Sequence, residues 1–172
     1  MISNTPDERL HPQLHINSYG HYLRRRFGFR ISKVNVDAGF TCPNRDGSEG
    51  SGGCIYCNNE SFSPKDTLPL IPLEKQMADG MAYHRIRLGS EKFIIYFQKH
   101  TNTYGAVELL SDLYRRALDH PDVIGISVGT RPDSLSDEAL DLLSEIADKK
   151  YVCLELGLQS MDDAILHRIN RG

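Results

Sequence analysis

A chain of 172 residues, 40% apolar and 25% charged, has an ordinary globular composition and the length to bury a hydrophobic core. The net charge of −3 argues against a protein built mainly to coat nucleic acid, and no run of about 18 apolar residues exists to span a membrane. The polar N-terminus, MISNTPDERLHPQLH, lacks the apolar run of a secretory signal, so we expect a cytoplasmic location.

Residues 1–29 are predicted to form a leader segment with one short helix, ahead of a main domain over residues 30–172. A basic stretch, residues 21–33, carries five Lys and Arg residues. Two interpretations of this stretch stay open. It is a solvated basic edge, which is the usual role of a charge run, or it contacts phosphate or RNA.

Strand-like and helix-like patterns alternate through the main domain. Alternating β-branched residues predict a first strand at 31–38, which a glycine-rich loop follows from Gly39 to about Ile71. Apolar runs of the kind found in buried strands predict three more strands, at residues 93–97, 123–128 and 151–156.

Four helices are predicted from apolar residues that recur on one helical face. The first begins at Pro72, Ser134 or Ser136 caps the third, and Ser160 with Asp163 forms a capping-box pattern before the last. The facial positions, helix by helix, are Leu73, Met77 and Met81; Val107, Leu110, Tyr114 and Leu118; Leu140, Leu143 and Ile146; and Met161, Ile165 and Ile169.

The alternation amounts to four consecutive βα units, whose spacing requires parallel strands joined by crossovers. Two architectures satisfy it, an open doubly wound sheet and part of a βα barrel. In both, chemistry gathers where the strands end at their carboxyl sides. The loops after residues 38, 97, 128 and 156 are therefore the ones expected to carry a site.

Three cysteines lie in the loop after the first strand. Cys42, Cys54 and Cys57 are separated by eleven and then two residues, among several glycines that allow the backbone to fold tightly around them. Three thiolates can hold three irons of a four-iron cluster and leave the fourth iron open for chemistry, as an open position does in catalytic zinc sites.

Other uses of the cysteines stay open. Three cysteines with a histidine, His84 or His100, would make a structural zinc site, and the protein would then be a non-catalytic zinc-binding module. Disulfide bonds are less expected in a chain without an export signal. Cys153, in the fourth predicted strand, is interpreted as a small core residue.

The cysteine loop resembles the radical S-adenosylmethionine (SAM) superfamily, in which an aromatic residue, here Tyr56, precedes the last cysteine. The usual spacing there is three and then two residues, so the first gap of this chain departs from it. The flanks VDAGFTCPNRDG and GGCIYCNN are similar to a narrower group, the YhcC-like bacterial proteins related to the elongator catalytic subunit. The resemblance covers about residues 18–172.

The resemblance implies a partial (β/α) barrel of radical SAM type, with about four of six βα units in this chain. We therefore expect a fragment truncated at its C-terminus, or self-association through an open sheet edge. The implied cofactors are a 4Fe–4S cluster on Cys42, Cys54 and Cys57, and SAM at the open iron. The implied reaction uses a 5′-deoxyadenosyl radical to abstract hydrogen from an unknown substrate, for which RNA is one hypothesis. The implied partner is a one-electron reductant such as flavodoxin or ferredoxin.

The resemblance also implies contacts to SAM. Gln159 matches a ribose-binding position and Arg171 an arginine that meets the carboxylate, and Tyr56 is a further cofactor-binding candidate. In the family, a glycine-rich stretch after the second strand meets the SAM amino group. This chain has QKHTNTY there, so Gln98 and Thr101 are candidates by region, beside the interpretation as an ordinary polar loop.

Three charged residues complete the prediction. Glu155 lies in an apolar strand and needs a partner, either a ligand amine or a buried arginine. Arg131 and Asp133, after the third strand, either pair with each other or face the ligand. Gly129 occupies the position where some family members place a glutamate that contacts SAM.

Overall fold

The computed structural model describes residues 16–58 and 71–171, in which four parallel strands form one sheet. The elements, in chain order, are α1 (Tyr19–Phe27), β1 (Ile31–Val36), α2 (Pro43–Asp46), α3 (Leu73–Leu88), β2 (Lys92–Phe97), α4 (Val107–Leu118), β3 (Val123–Thr130), a 3₁₀ turn (Pro132–Ser134), α5 (Asp137–Ala147), β4 (Tyr151–Leu156) and α6 (Asp163–Arg168). The four predicted strands and the predicted helix pattern are confirmed within these residues.

The strands lie side by side in chain order, β1–β2–β3–β4, and every neighbouring pair is parallel. The long helices α3, α4 and α5 contribute to one hydrophobic core on one face of the sheet. A doubly wound sheet reverses its strand order at a switch point and carries helices on both faces. The observed order is instead compatible with part of a βα barrel.

The core follows the period of two along the strands. Alternate residues such as Phe93, Ile95 and Phe97 of β2 are fully buried against the helices, and the predicted face of α3 is buried with them. Burying each large apolar side chain contributes roughly 1.5–3 kcal/mol, so this face supplies most of the stabilisation. The facing side chains of α3 are Leu73, Met77 and Met81.

Helix α1 packs against the opposite face of the sheet, near the start of the strands. Leu23 contacts Ile31 and Ile94 in a second, smaller core. The side chain of Ser18 caps the helix, and Gly28 ends it in a left-handed conformation. Part of the basic stretch is used inside this packing, because the Arg26 guanidinium lies 5.5 Å from the ring centroids of both Phe27 and Tyr151.

Helix α5 differs from its prediction in its buried face. Ser136 is the residue that caps it, whereas Ser134 ends the preceding 3₁₀ turn. Leu140 is 43% exposed, so its assignment to the core was wrong. Leu143 and Ile146 of the predicted face are buried as expected, and Ala139 and Leu142 are buried beside them.

Helix α6 differs more. Asp162, not Ser160, caps it by accepting hydrogen bonds from the N–H groups of Ala164 and Ile165. Two of the three predicted facial residues are exposed, Met161 at 91% and Ile165 at 45%, whereas Ile169 is half-buried. Within the described residues, the segment that follows α6 contacts the cysteine loop through its backbone, from the Ile55 N–H to the Ile169 carbonyl at 3.1 Å.

The strands β1 and β4 form the two edges of the sheet. The predicted association through an open edge concerns β4 and stays a prediction. No helix in the described parts of the chain combines the length and apolar character needed to cross a membrane.

The close packing of β3 on β4 gives a test of the sheet. A Cβ atom at Gly125 would stand 2.0 Å from the Tyr151 carbonyl oxygen. We therefore expect Gly125→Ala to lower the free energy of unfolding by about 2 kcal/mol, measured by urea denaturation followed by circular dichroism.

Gly20→Ala is the matched control. Gly20 lies in α1, and a Cβ atom there would meet nothing within 4 Å. Since alanine favours the helix, the control is expected to gain about 0.5 kcal/mol. Equal effects of the two substitutions would contradict the packing described for β3 and β4.

Candidate functional site

A cavity of about 390 Å³ opens where the four strands end at their carboxyl sides. The loops after all four strands contribute to its wall. Every site residue predicted from the sequence lines it: Cys42, Cys54, Tyr56, Cys57, Gln98, Thr101, Glu155, Gln159 and Arg171.

The cysteine loop is shaped by one short helix and several turns. Cys42 lies at the N-cap of α2, with Pro43 in the first helical position, and Gly47 ends the helix in a left-handed conformation. The N–H of Cys57 donates to the carbonyl of Cys54 at 3.0 Å, which closes a tight turn between these two cysteines. The four cysteines of the chain, all described, form no disulfide bond with one another.

Two of the sulfur atoms receive donors from buried side chains. The amide Nδ2 of Asn44 lies 3.6 Å from the Cys54 Sγ, and the Arg131 Nη1 lies 3.9 Å from the Cys42 Sγ. Asn44 is 1% exposed and Arg131 is 3% exposed. Nitrogen donors that point at ligand sulfur are one means of tuning a metal–thiolate centre.

The sequence left two alternatives for Arg131, pairing with Asp133 or a place facing the ligand. Its side chain is both paired with Asp133 and part of the cavity wall. Its guanidinium forms an ion pair with Asp133 and a second one with Glu49 at 2.7 Å. Burial alone would lower the pKa of Arg131, but its hydrogen bonds to Asp133 and Cys42 raise it above the ordinary value. The side chain is therefore a fixed positive charge beside the cysteine loop.

The two histidines considered for a zinc site lie apart. His100 lines the cavity at the carboxyl ends of the strands. His84 lies near the end of α3 that leads into β2, at the amino ends of the strands. Among residues 16–58 and 71–171, no group of three Cys, His, Asp or Glu side chains converges closely enough to hold one metal ion.

Glu155 is held by three side chains from three different strands. Lys33 of β1 forms an ion pair with it, the Tyr96 hydroxyl donates to it at 2.6 Å, and the Ser127 hydroxyl donates at 2.8 Å. The prediction of an arginine as the protein partner of Glu155 was wrong, because the partner is Lys33. Lys33 spans the sheet by lying across the ring of Tyr96, with its Nζ 4.3 Å from the centroid.

These contacts fix the charge of Glu155. Burial acts to raise the pKa of this carboxyl, but the hydrogen bonds from Lys33, Tyr96 and Ser127 outweigh it and lower the pKa below the ordinary value. Burial and the bond to Glu155 raise the pKa of Tyr96. The inner face of the sheet therefore carries a carboxylate, an ammonium and a neutral phenol beneath the cavity.

The loop after β2 joins its neighbours on both sides. The N–H of Thr101 donates to the Thr41 carbonyl at 3.1 Å, and the Asn102 side chain donates to the Gly129 carbonyl at 2.8 Å. Thr101 and Asn102 are buried, so this segment is a structural part of the cavity wall as well as a lining. The Gln98 side chain accepts a hydrogen bond from Asn35 at 2.8 Å.

Three non-glycine residues of the described chain have positive φ, and all three lie at or beside the cavity. The φ angles are 62° for His100, 67° for Gln159 and 54° for Asn170. His100 thus adopts a conformation that glycine takes readily, in the loop where the sequence lacks the expected glycines. Such backbone conformations cost about 1 kcal/mol each and concentrate at functional sites.

Arg171 and Tyr56 close the cavity on the side of the cysteine loop. The Arg171 Nη2 donates to the Gly157 carbonyl at 2.5 Å, which holds the guanidinium at the wall. Burial and a hydrogen bond to Cys54 raise the pKa of Tyr56 to about 12, against the opposing charge of Arg171. The phenol is therefore neutral near pH 7.

Sequence reasoning missed several of these side chains. Lys33 and Tyr96 lie on the inner face of their strands, and the period of two that places them there could have identified them. No periodic signal identifies Asn44 and Asn170. Their partners are distant in the chain, so only the folded structure shows the contacts.

Sequence comparison finds relatives in bacteria and archaea. The chain is 40% identical over 159 residues to the protein YhcC of Escherichia coli (strain K12), covering 91% of this chain and 50% of that protein. It is 36% identical over 174 residues to the uncharacterised protein YtqA of Bacillus subtilis (strain 168), covering 99% and 53%. It is 39% identical over 157 residues to the uncharacterised protein MJ0486 of Methanocaldococcus jannaschii, covering 90% and 47%.

The chain thus spans about half the length of the curated relatives it matches. The names of these relatives state no reaction, ligand or partner. No family model matches the chain.

The ion pair of Glu155 gives a test of the site that depends on pH. Glu155→Gln leaves Lys33 without a counter-charge, and we expect a loss of about 1 kcal/mol in the free energy of unfolding at pH 7. Because the folded-state pKa of Glu155 is lowered, its contribution is complete above the ordinary value of 4.5 and is lost as the pH falls below it. Urea denaturation from pH 7 to acid should show wild type and variant converging below about pH 4.5.

Glu145→Gln serves as the control, because Glu145 pairs with Arg115 on the exposed surface. Its effect should stay within about 0.5 kcal/mol at all pH values. A difference between Glu155→Gln and wild type that does not change with pH would contradict the charged state described for Glu155.

Proposed function

We propose that this cavity is the cofactor site of a radical SAM enzyme. Cys42, Cys54 and Cys57 would hold a 4Fe–4S cluster, and SAM would occupy the space between the cluster and the strand ends. One observation carries the proposal: the nine site residues predicted from the sequence, scattered from position 42 to position 171, line a single cavity. The finer fold assignment, a partial barrel of radical SAM type, belongs to the same proposal.

The donor set of the loop fits the proposed cluster. Three cysteines on one loop line one cavity, and buried nitrogen donors from Asn44 and Arg131 point at two of the sulfurs. A single zinc ion needs every ligand at about 2.0–2.3 Å from one point. A four-iron cluster makes a looser demand, because each cysteine bonds a different iron.

The rest of the cavity fits a zwitterionic ligand with a nucleoside. Arg171 presents a planar guanidinium, which suits a carboxylate, and Gln159 presents a neutral amide for a ribose hydroxyl. Tyr56, neutral near pH 7, adds an aromatic surface beside the cysteines. The volume of about 390 Å³ lies within the range of small-molecule sites, roughly 300–1,000 Å³.

When bound, the cluster and SAM would supply one-electron cleavage of the sulfonium and a 5′-deoxyadenosyl radical that abstracts hydrogen from a substrate. The work of the chain is to bind, orient and shield. Arg171 orients the carboxylate end, Glu155 keeps a negative charge beneath the cavity, and the buried loop after β2 keeps water out of one wall.

The reductant and the substrate are proposed for the whole protein, because this chain spans about half the length of the relatives it matches. A one-electron donor such as flavodoxin or ferredoxin is required by the chemistry. RNA as the substrate is proposed from the basic stretch and from the resemblance to proteins related to the elongator catalytic subunit. Within the basic stretch, Arg26 and Lys33 are engaged in contacts within the fold.

Anaerobic reconstitution tests the cluster. We expect about four irons per chain in the wild type, and 5′-deoxyadenosine after SAM and a reductant are added. Cys54→Ala should lose most of the iron and all of the product, because it removes one of only three ligands.

Cys153→Ala is the matched control, since Cys153 lies on β4 next to Glu155 and outside the loop. It should keep both iron and product. One zinc and no iron in the wild type after reconstitution would favour the zinc-binding module and reject the enzyme.

The role of Arg171 has its own test. Arg171→Lys keeps the charge and loses the two-pronged donor, so SAM should bind about tenfold more weakly at unchanged iron content. Equilibrium dialysis with labelled SAM measures this. Arg115→Lys, on the exposed face of α4, should leave the affinity unchanged. Wild-type affinity in Arg171→Lys would remove Arg171 from the site.

A further inference from the structure

Asn44 is the most deeply buried polar side chain of the cysteine loop, and both of its polar atoms are used. Its Nδ2 donates to the Asn170 carbonyl at 2.5 Å and lies 3.6 Å from the Cys54 Sγ. Its Oδ1 accepts from the Arg131 Nη1 at 2.5 Å. One buried amide therefore contacts a candidate cluster ligand, the fixed guanidinium beside another, and a backbone carbonyl far along the chain.

Asn170 returns the contact from the other side. Its Nδ2 donates to the carbonyl of Gly53 at 2.7 Å and to that of Ser51 at 3.3 Å, in the turn just before Cys54. Its own carbonyl is the acceptor for Asn44. We call these two residues and their bonds the asparagine clamp.

The clamp fixes a segment that has little other support on its apolar side. Met161, just before helix α6, and Ile165 within it are both exposed, so hydrophobic burial of these side chains does not hold the segment. The left-handed conformation of Asn170 turns the chain directly before Arg171. Asparagine adopts this conformation more readily than most residues with a Cβ, and helices often end with it. The side-chain bonds from Asn170 to Ser51 and Gly53 attach the resulting turn to the cysteine loop.

We propose that Asn44 and Asn170 are positioning residues, which lock the segment carrying Arg171 to the cysteine loop. This inference rests on the proposed function. Arg171 would bind the carboxylate end of SAM while the cysteines hold the cluster, and these two groups come from segments more than a hundred residues apart. Catalytic positioning fails with displacements of about 1 Å, so a direct connection between the two segments sets the register of ligand against cluster.

Asn170→Gly is the cleaner test. Glycine keeps the positive φ and the carbonyl that accepts from Asn44, and it removes only the two side-chain bonds to the loop. We expect iron content near that of the wild type and SAM affinity reduced about tenfold, since two hydrogen bonds are lost. Hydrogen–deuterium exchange of the metal-free protein should become faster in residues 50–57 and 166–171 together.

Asn44→Asp attacks the other half of the clamp. Aspartate keeps an acceptor for Arg131 and loses the amide donor to the Asn170 carbonyl and the Cys54 sulfur. Faster exchange in residues 166–171, far along the chain from the substitution, is the result expected of a clamp. Ser111→Ala, which removes an exposed hydrogen bond to Arg115 on α4, is the control and should change neither exchange nor affinity.

The outcomes separate the inference from the proposed function. Wild-type SAM affinity and unchanged exchange in Asn170→Gly would overturn the clamp and leave the enzyme proposal standing. Faster exchange with unchanged affinity would reduce the clamp to a structural contact and also overturn the inference. A wild-type protein that holds iron and binds no SAM would reject both, whatever the exchange shows.

Discussion

Because the four strands run parallel and in chain order, the loops that follow them all leave the sheet at the carboxyl ends of the strands. The candidate binding residues on these loops therefore lie on one side of the sheet. The cysteines follow β1, the buried Thr101 follows β2, Arg131 follows β3, and Gln159 follows β4. Each connecting helix returns the chain to the amino end of the sheet before the next strand begins. The site is therefore a consequence of strand direction, which brings residues distant in the sequence to one cavity.

The two faces of the sheet divide stability from chemistry. One face is mainly apolar and is covered by α3, α4 and α5, which provides most of the burial that stabilises the fold. The other face carries Lys33, Tyr96 and Glu155 in one connected group beneath the cavity. A charged pair on this face is tolerable because each polar atom has a partner, and it keeps the interior polar where a ligand would lie.

The sequence predicted the features that leave a local signal, which is either a repeated spacing or a distinctive motif. It did not predict the contacts that form only when distant segments come together in the fold. The first strand followed from a period of two, the other three strands from short apolar runs, and the face of α3 from a spacing of four. The cavity-lining residues followed from motifs at strand ends. The exposed face of α6 was mispredicted, since periodicity reports amphipathic character and not what covers it. The Lys33–Glu155 pair and the Asn44–Asn170 contact join residues more than a hundred positions apart, and no local pattern predicts such pairings.

The left-handed residues around the cavity have a consequence for how the molecule responds to heat. His100, Gln159 and Asn170 hold conformations that relax when their surroundings loosen, whereas the central strands β2 and β3 below them are largely buried and are paired on both sides. Warming should release the rim before it melts the sheet. The protein would then pass through a range of temperature in which its secondary structure is intact and its binding capacity is gone, so a melting curve alone would overstate how long the site survives.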